Sequence, residues 1–312
     1  MSTRAAATLN LGERLWIYQR ERFPLGKTAL LLAVFSSASI SVSAHLAGRA
    51  LPGLVTFVGA WTIALVLFFQ LRAFDEVKDR EDDLRWRPER PIPRGLVSLR
   101  LIVGIAIAGV PVQLGLAAAL DLAMLIPLAL VLIWLALMTA EFFVPEWLKR
   151  RPFLYLVSHM AIMPMIDLFL TTCEWLPHGE LPPAGLVWFL GLSFANGCVI
   201  ELGRKVWAPE NERPGVETYS ALLGARRAAL VWACTANAAF LLLCGTGFAT
   251  SAPVLDGSIG AIALLAVWAA ALSLFQSPNS KHQGQIDSMA GLWVLFCYAT
   301  AGFAPFIEAV IR

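Results

Sequence analysis

Apolar and polar positions alternate on a long scale along this chain. Nine stretches dominated by Leu, Ile, Val, Phe and Ala, at 28–48, 51–72, 96–117, 120–141, 153–174, 184–203, 220–245, 253–276 and 286–310, are separated by short polar connections. Each approaches the roughly 20 apolar residues that cross a bilayer as a helix. The pattern predicts one all-α membrane domain of nine transmembrane helices over residues 28–312, with no room for a second soluble domain. Residues 1–27 set Arg14, Arg20, Arg22 and Lys27 among Leu11, Leu15, Trp16, Ile17 and Phe23. That order differs from a cleavable signal peptide and predicts an interfacial helix on the cytoplasmic leaflet. Stretch 28–48 is rich in Ser and Ala, small residues that let helices approach closely in lipid.

Charge orients the bundle. Only 15% of the residues are charged and 58% are apolar, where about 25% charged is usual for soluble proteins. With the N-terminus inside, every Lys and Arg except Arg49 and Arg312 falls on the inner side, as the positive-inside bias requires. The expectation is an integral, multi-pass protein of a bacterial inner membrane, N-terminus in the cytoplasm, with its chemistry on the cytoplasmic face. Membrane topology accounts for the basic loops, so no nucleic-acid role is indicated. The five cysteines show no metal-ligand spacing and read as small core residues.

The densest chemistry lies just past the second stretch, in Asp75-Glu76-Val77-Lys78-Asp79-Arg80-Glu81-Asp82-Asp83. On one continuous helix, Glu76, Asp79 and Asp83 would share a face at i, i+3 and i+7. Crowded carboxylates repel one another unless cations or solvent relieve them. Sharing Mg²⁺ with phosphate oxygens is a common solution. The run continues into Arg85-Trp86-Arg87-Pro88-Glu89-Arg90-Pro91-Ile92-Pro93-Arg94-Gly95, whose prolines end the helix and turn the chain back to the membrane. Arg87, Arg90 and Arg94 could reach phosphate through their planar donors. Equally, the acids and bases of this loop could pair with one another and with lipid headgroups.

This run resembles the first motif of the UbiA superfamily of intramembrane prenyltransferases, Asn-Asp-x-x-Asp-x-x-x-Asp. Asp75 stands at the Asn position, and Glu76, Asp79 and Asp83 stand at the three Asp positions. Leu148-Lys149-Arg150 is similar to the family's Lys-Arg turn after helix 4. Gly215-Val216-Glu217-Thr218-Tyr219-Ser220 is similar to its Gly-Ile-x-Thr-Leu run entering helix 7. The second acidic motif departs from the pattern. Trp207 and Asn211 occupy the positions where the family carries Asp, with Glu201, Glu210 and Glu212 displaced nearby and Arg204 and Lys205 between them. The resemblance implies a nine-helix UbiA-type bundle and Mg²⁺-dependent transfer of an isoprenoid group from a prenyl diphosphate to an aromatic or lipid acceptor. It implies catalytic roles for Asp79, Asp83 and Glu201, with metal ligands drawn from Asp75, Glu76, Asp79, Asp83, Glu210 and Glu212. The diphosphate would be held by Arg87, Arg90, Arg94, Lys149, Arg204 and Lys205. At the altered motif, either a reshaped loop brings Glu210 or Glu212 to a metal, or Arg204 and Lys205 bind phosphate directly.

Within the apolar stretches, ionisable groups are costly and are functional suspects. His159 and Asp167 lie on nearly one face of the fifth stretch, and Pro164 between them predicts a kink. Asn196 and Glu201 lie on the sixth. His159, Asn196 and Tyr219 are candidates for an acceptor pocket; interhelical hydrogen bonding accounts equally well for His159 and Asn196, and Asp167 reads as a structural pair. Terpene cyclisation and phosphoribosyl transfer to a polyprenyl phosphate are alternatives that keep the same site. A transporter or lipid-binding protein is the non-enzymatic alternative, although the sequence lacks the paired mid-membrane breaks typical of transport.

Overall fold

The computed structural model describes residues 9–311. The first eight residues of the N-terminal segment, Arg4 among them, and Arg312 lie outside the described residues. In chain order the helices are α1 (Leu11–Arg22), α2 (Leu25–Leu46), α3 (Leu54–Lys78), α4 (Arg80–Trp86), α5 (Leu99–Leu120), α6 (Leu125–Thr139), α7 (Pro145–Lys149), α8 (Pro152–Met160), α9 (Ile162–Trp175), α10 (Leu186–Arg204), α11 (Tyr219–Leu223), α12 (Ala225–Ala249), α13 (Pro253–Gln276) and α14 (Ser280–Ile311). Among the described residues, nine helical segments are long and apolar enough to span a membrane, and they coincide with the nine predicted stretches apart from shifts at their ends. In lipid the backbone must satisfy itself, which is why each apolar run closes into a helix.

The spans α2 and α10 are the most buried, and both use small residues to pack. A Cβ on Gly302 of α14 would sit 2.5 Å from the Ala38 Cα of α2, so only glycine allows this approach. The fifth span breaks between Met160 and Ile162. Pro164 has no N–H to give the Met160 carbonyl, and the helix yields there. Beyond the break, Asp167 is fully buried and accepts hydrogen bonds from Ser39 (2.6 Å) and the Tyr298 hydroxyl (2.5 Å), tying α2, α9 and α14 together. At the far end of the bundle, Glu174 takes Arg49 Nε at 2.5 Å and the Ser43 hydroxyl at 2.8 Å.

Helix α1 starts with a reciprocal cap, in which Asn10 accepts from the Glu13 amide and Glu13 from the Asn10 amide. Its Tyr18 is buried in a small core with Ala73, Leu96, Val97, Ile102 and Ala106, and Phe23 meets Phe69 edge-on at 5.5 Å. These contacts set α1 beside the end of α3, where the acidic run begins.

Candidate active site

The acidic run is not one uninterrupted helix. Helix α3 stops at Lys78, and Asp79 serves as the junction with the short α4. The four motif carboxylates take different partners. Glu76 is turned towards α1 and is buried, with Arg22 Nε at 2.6 Å and Arg72 Nη2 at 3.2 Å. Asp83, which a surface run would leave in solvent, is also buried and pairs with Arg87 at 3.0 Å and Arg90 at 2.6 Å. Asp75 has Lys78 at 3.0 Å. Asp79, 44% exposed, has among the described residues only the Arg90 guanidinium as an ion-pair partner, at a long 3.9 Å.

Electrostatics follow this division. Burial, and then the Asp75 and Asp83 charges, raise the Asp79 carboxyl above the ordinary carboxylate range. Burial and the neighbouring Arg72 push Arg22 below its usual value, with Glu76 opposing them. Burial, reinforced by Glu76, lifts the Tyr18 phenol to about 12.

The end of α10 supplies the opposing charges. Lys205 Nζ lies 2.8 Å from Glu201 and 5.9 Å over the Tyr155 ring. Burial lowers the Lys205 pKa, but the Glu201 carboxylate outweighs it and the net shift is upward. Arg204 is 59% exposed, with its nearest Glu201 oxygen at 4.0 Å. Arg204 lies within electrostatic reach of Asp75, and Lys205 of Asp79. Tyr155 stacks on His159 at 3.8 Å, completing a cluster drawn from α3, α8 and α10.

The altered second motif is occupied elsewhere. Asn211 donates to Gln283 (2.7 Å) and Ser280 (3.0 Å) at the start of α14, and Trp207 Nε1 donates to the Arg204 carbonyl at 2.9 Å. Glu210 accepts from the Ser280 amide at 2.7 Å and from its hydroxyl, contacts that hold its pKa low. Glu212 accepts from the Thr218 hydroxyl at 2.8 Å. The loop thus clamps against α14. Gly215, with φ +74, lies under the Trp86 indole, whose Nε1 would be 2.0 Å from a Cβ there.

Several other predicted site residues have structural partners. Arg94 forks onto Glu21 of α1 and Asn196 accepts from Trp293 Nε1 at 3.0 Å, whereas Lys149 is exposed on α7. Tyr219 is buried, its ring 6.0 Å from Phe153. Sequence reasoning missed Lys78, Tyr155, Arg22 and Arg72. Lys78 lies between two motif acids and Tyr155 one helical turn before His159, so both carried a positional signal. Arg22 carried none, because it lies 54 residues from Glu76.

No group of three or more His, Cys, Asp or Glu suited to a metal ion is gathered among the described residues. Asp75 and Asp79 nevertheless offer two carboxylates, the set that suits Mg²⁺ when substrate phosphates and water complete its shell.

A UbiA prenyltransferase family model matches residues 31–304. The structure is similar to the apo structure of a UbiA homolog from Aeropyrum pernix K1, with a TM-score of 0.66 at 16% identity, covering 89% of this chain and 98% of that one. It is also similar to a chain solved in work on digeranylgeranylglyceryl phosphate synthase in membranes, with a TM-score of 0.63 at 14% identity, covering 93% and 99%. A search of curated proteins gave no match. At these identities the solved structures establish a common fold, while the family match spans most of the sequence. With nine apolar helices among its described residues this is an integral, multi-pass membrane protein, and the chain belongs to the UbiA prenyltransferase family.

Proposed function

We propose that the protein transfers an isoprenoid group from a prenyl diphosphate to an acceptor, in a Mg²⁺-dependent reaction at the bundle end that holds Asp75 and Asp79. Family membership supports intramembrane prenyl transfer in general. The finer reading rests on one observation: the two least encumbered motif carboxylates lie within electrostatic reach of Arg204 and Lys205. The sorting of Lys and Arg along the chain supports placing this end in the cytoplasm.

Asp75 and Asp79 would hold Mg²⁺ together with diphosphate oxygens; when bound, the ion supplies Lewis-acid withdrawal of charge from the departing diphosphate. Arg204 is held only loosely, by a Glu201 oxygen at 4.0 Å, before it turns to a phosphate oxygen. Lys205 is kept cationic by Glu201 and positioned by the Tyr155 face. Together these fixed cations neutralise the charge that develops on the leaving group, the part left open by the altered second motif. Arg87 and Arg90 hold Asp83, and Arg94 holds Glu21, so these arginines shape the loop around the site. The apolar spans beneath the cluster keep water from the allylic cation.

The test is diphosphate release by the purified protein with Mg²⁺ and isoprenoid diphosphates of C10 to C20 and longer, with and without a membrane-lipid extract, and products read by mass spectrometry. Release only with extract, accompanied by a prenylated product, is the expected result. Release without extract, giving a cyclised hydrocarbon, would replace transfer by cyclisation. No release from any donor would overturn the proposal.

A further inference from the structure

The end of the bundle opposite the candidate active site holds a buried pair of carboxylates. There α12 runs into α13 through a tight turn, in which Ser251 takes φ 63 and the Ala252 amide donates to the Gly247 carbonyl at 2.8 Å. Asp256, in the first turn of α13, is 0% exposed, and Glu308, near the end of α14, is 6% exposed. The Leu255 amide at the start of α13 donates to Glu308 at 2.8 Å. Neither oxygen of Asp256 has a hydrogen-bond partner among the described residues. The charge within its reach is Glu308, of like sign.

Three features make an unaccompanied Asp256 carboxylate costly. It is out of water, where a charge must be paired or neutralised. Glu308 repels it. It also lies against the last turn of α12, the helix end that carries partial negative charge. A Cβ on Gly247 would sit 2.8 Å from Asp256 Oδ2 and 3.2 Å from the Ala252 carbonyl oxygen, so glycine at this place lets two oxygens close in on one point. A proton shared between the two acids would need their oxygens in hydrogen-bond contact, and Asp256 makes no such contact. A cation sets a different spacing, because two oxygens on opposite sides of Ca²⁺ stand about 4.6–5.2 Å apart.

We propose that Asp256, Glu308 and the Ala252 carbonyl form a binding site for one hard divalent cation of the Ca²⁺ class, which fastens the α12–α13 turn to α14. A divalent ion balances two carboxylates, and Ca²⁺ takes carboxylate and backbone oxygens together in an adaptable shell that water completes. Mg²⁺ suits the place less, since it demands near-octahedral geometry and gives up water reluctantly. Glu308 keeps its Leu255 contact, because a carboxylate has lone pairs enough to accept an N–H and bind an ion. The site stands at the other end of the bundle from Asp75 and Asp79, so its role is structural and independent of prenyl transfer.

The experiment uses the full chain in detergent with radiolabelled Ca²⁺ and an excess of Mg²⁺, read by equilibrium dialysis and by thermal unfolding with and without a chelator. The expected result is one Ca²⁺ per chain, retained in Asp75→Asn/Asp79→Asn, weakened in Glu308→Gln and lost in Asp256→Asn. Ca²⁺ at about a hundred times its half-saturating concentration should raise the wild-type unfolding midpoint by about 5 °C. The Asp256→Asn midpoint should ignore Ca²⁺ and lie at or above that of Ca²⁺-free wild type, because the unpaired charge is gone. No bound Ca²⁺, or unchanged binding in Asp256→Asn and Glu308→Gln, would overturn the site. Loss of the ion in the Asp75→Asn/Asp79→Asn protein would do the same, by placing it at the acidic motif. An Asp256→Asn protein less stable than Ca²⁺-free wild type would also overturn it, since the carboxylate would then be satisfied without an ion. Arg312 lies four residues beyond Glu308 in sequence. If Arg312→Gln lowers the midpoint and Ca²⁺ leaves the wild type unmoved, that arginine supplies the counter-charge and the cation site falls.

Discussion

Replacing Glu76 by Gln separates the two roles this residue could have. By its place in the motif it would be a metal ligand; in the fold it lies between Arg22 of α1 and Arg72 of its own helix, at 2.6 and 3.2 Å. Neutralising it leaves two guanidinium groups facing each other, with side chains only 12% and 17% exposed. Removing one member of a buried pair costs about 3–5 kcal/mol. Because both arginines keep some contact with water, the lower end applies, about 3 kcal/mol, or roughly a hundredfold in the population with α1 undocked. Hydrogen exchange of the α1 amides and tryptic cleavage after Arg20 and Arg22 should both accelerate by that order. The Mg²⁺ concentration for half-maximal diphosphate release should not move. If Glu76→Gln leaves α1 protected and instead weakens Mg²⁺ dependence, Glu76 is a ligand and the anchoring argument is wrong.

The other expectations concern the site and the packing. Asp79→Asn should lower diphosphate release by at least about a hundredfold, since the Lewis-acid contribution amounts to several kcal/mol, while thermal unfolding in detergent stays close to wild type; near-normal turnover would remove Asp79 from the metal site. Because the folded pKa of Asp79 is raised, its proton is retained to higher pH than in an ordinary aspartate. The contribution to stability is therefore full below the unfolded pKa and is lost as pH rises through the folded one. Metal binding needs the ionised form, so activity should fall on acidification starting above the ordinary carboxylate range, and more Mg²⁺ should move that limb to lower pH; a limb insensitive to Mg²⁺ would contradict this. Lys205→Met should reduce kcat/KM for the donor by about ten- to a hundredfold, the value of a charge-assisted hydrogen bond of about 1.5–3 kcal/mol, and an unchanged value would exclude Lys205 from phosphate binding. Gly302→Val should destabilise the bundle by about 1–3 kcal/mol through overpacking against Ala38, read as a lower thermal midpoint; an unshifted midpoint would mean that the α2–α14 contact is loose.

Sequence and tertiary structure determined different things here, and the division has a physical basis. Hydrophobicity acts residue by residue against a slab of fixed thickness, so runs of apolar side chains were enough to predict the nine spans. The break in the fifth span was also legible, because Pro164 loses its backbone bond wherever it is placed in a helix. The position of the acidic run at one end of the bundle followed from the same counting. Which of its carboxylates stay open did not. Helical periodicity placed Glu76, Asp79 and Asp83 together, but it could not show that the helix is interrupted at Asp79 or which partners each carboxylate takes. Glu76 is taken by Arg22, far off in sequence, and Asp83 by arginines that the proline-rich loop folds back onto it. Asn211 and Glu210 likewise find their partners on α14, some 70 residues onward. Glu141, Phe142 and Phe143 form a left-handed turn, and nothing in their spacing announces it, since no glycine marks it. Ion pairing and backbone strain depend on which distant segments meet, and that is decided only when the helices pack.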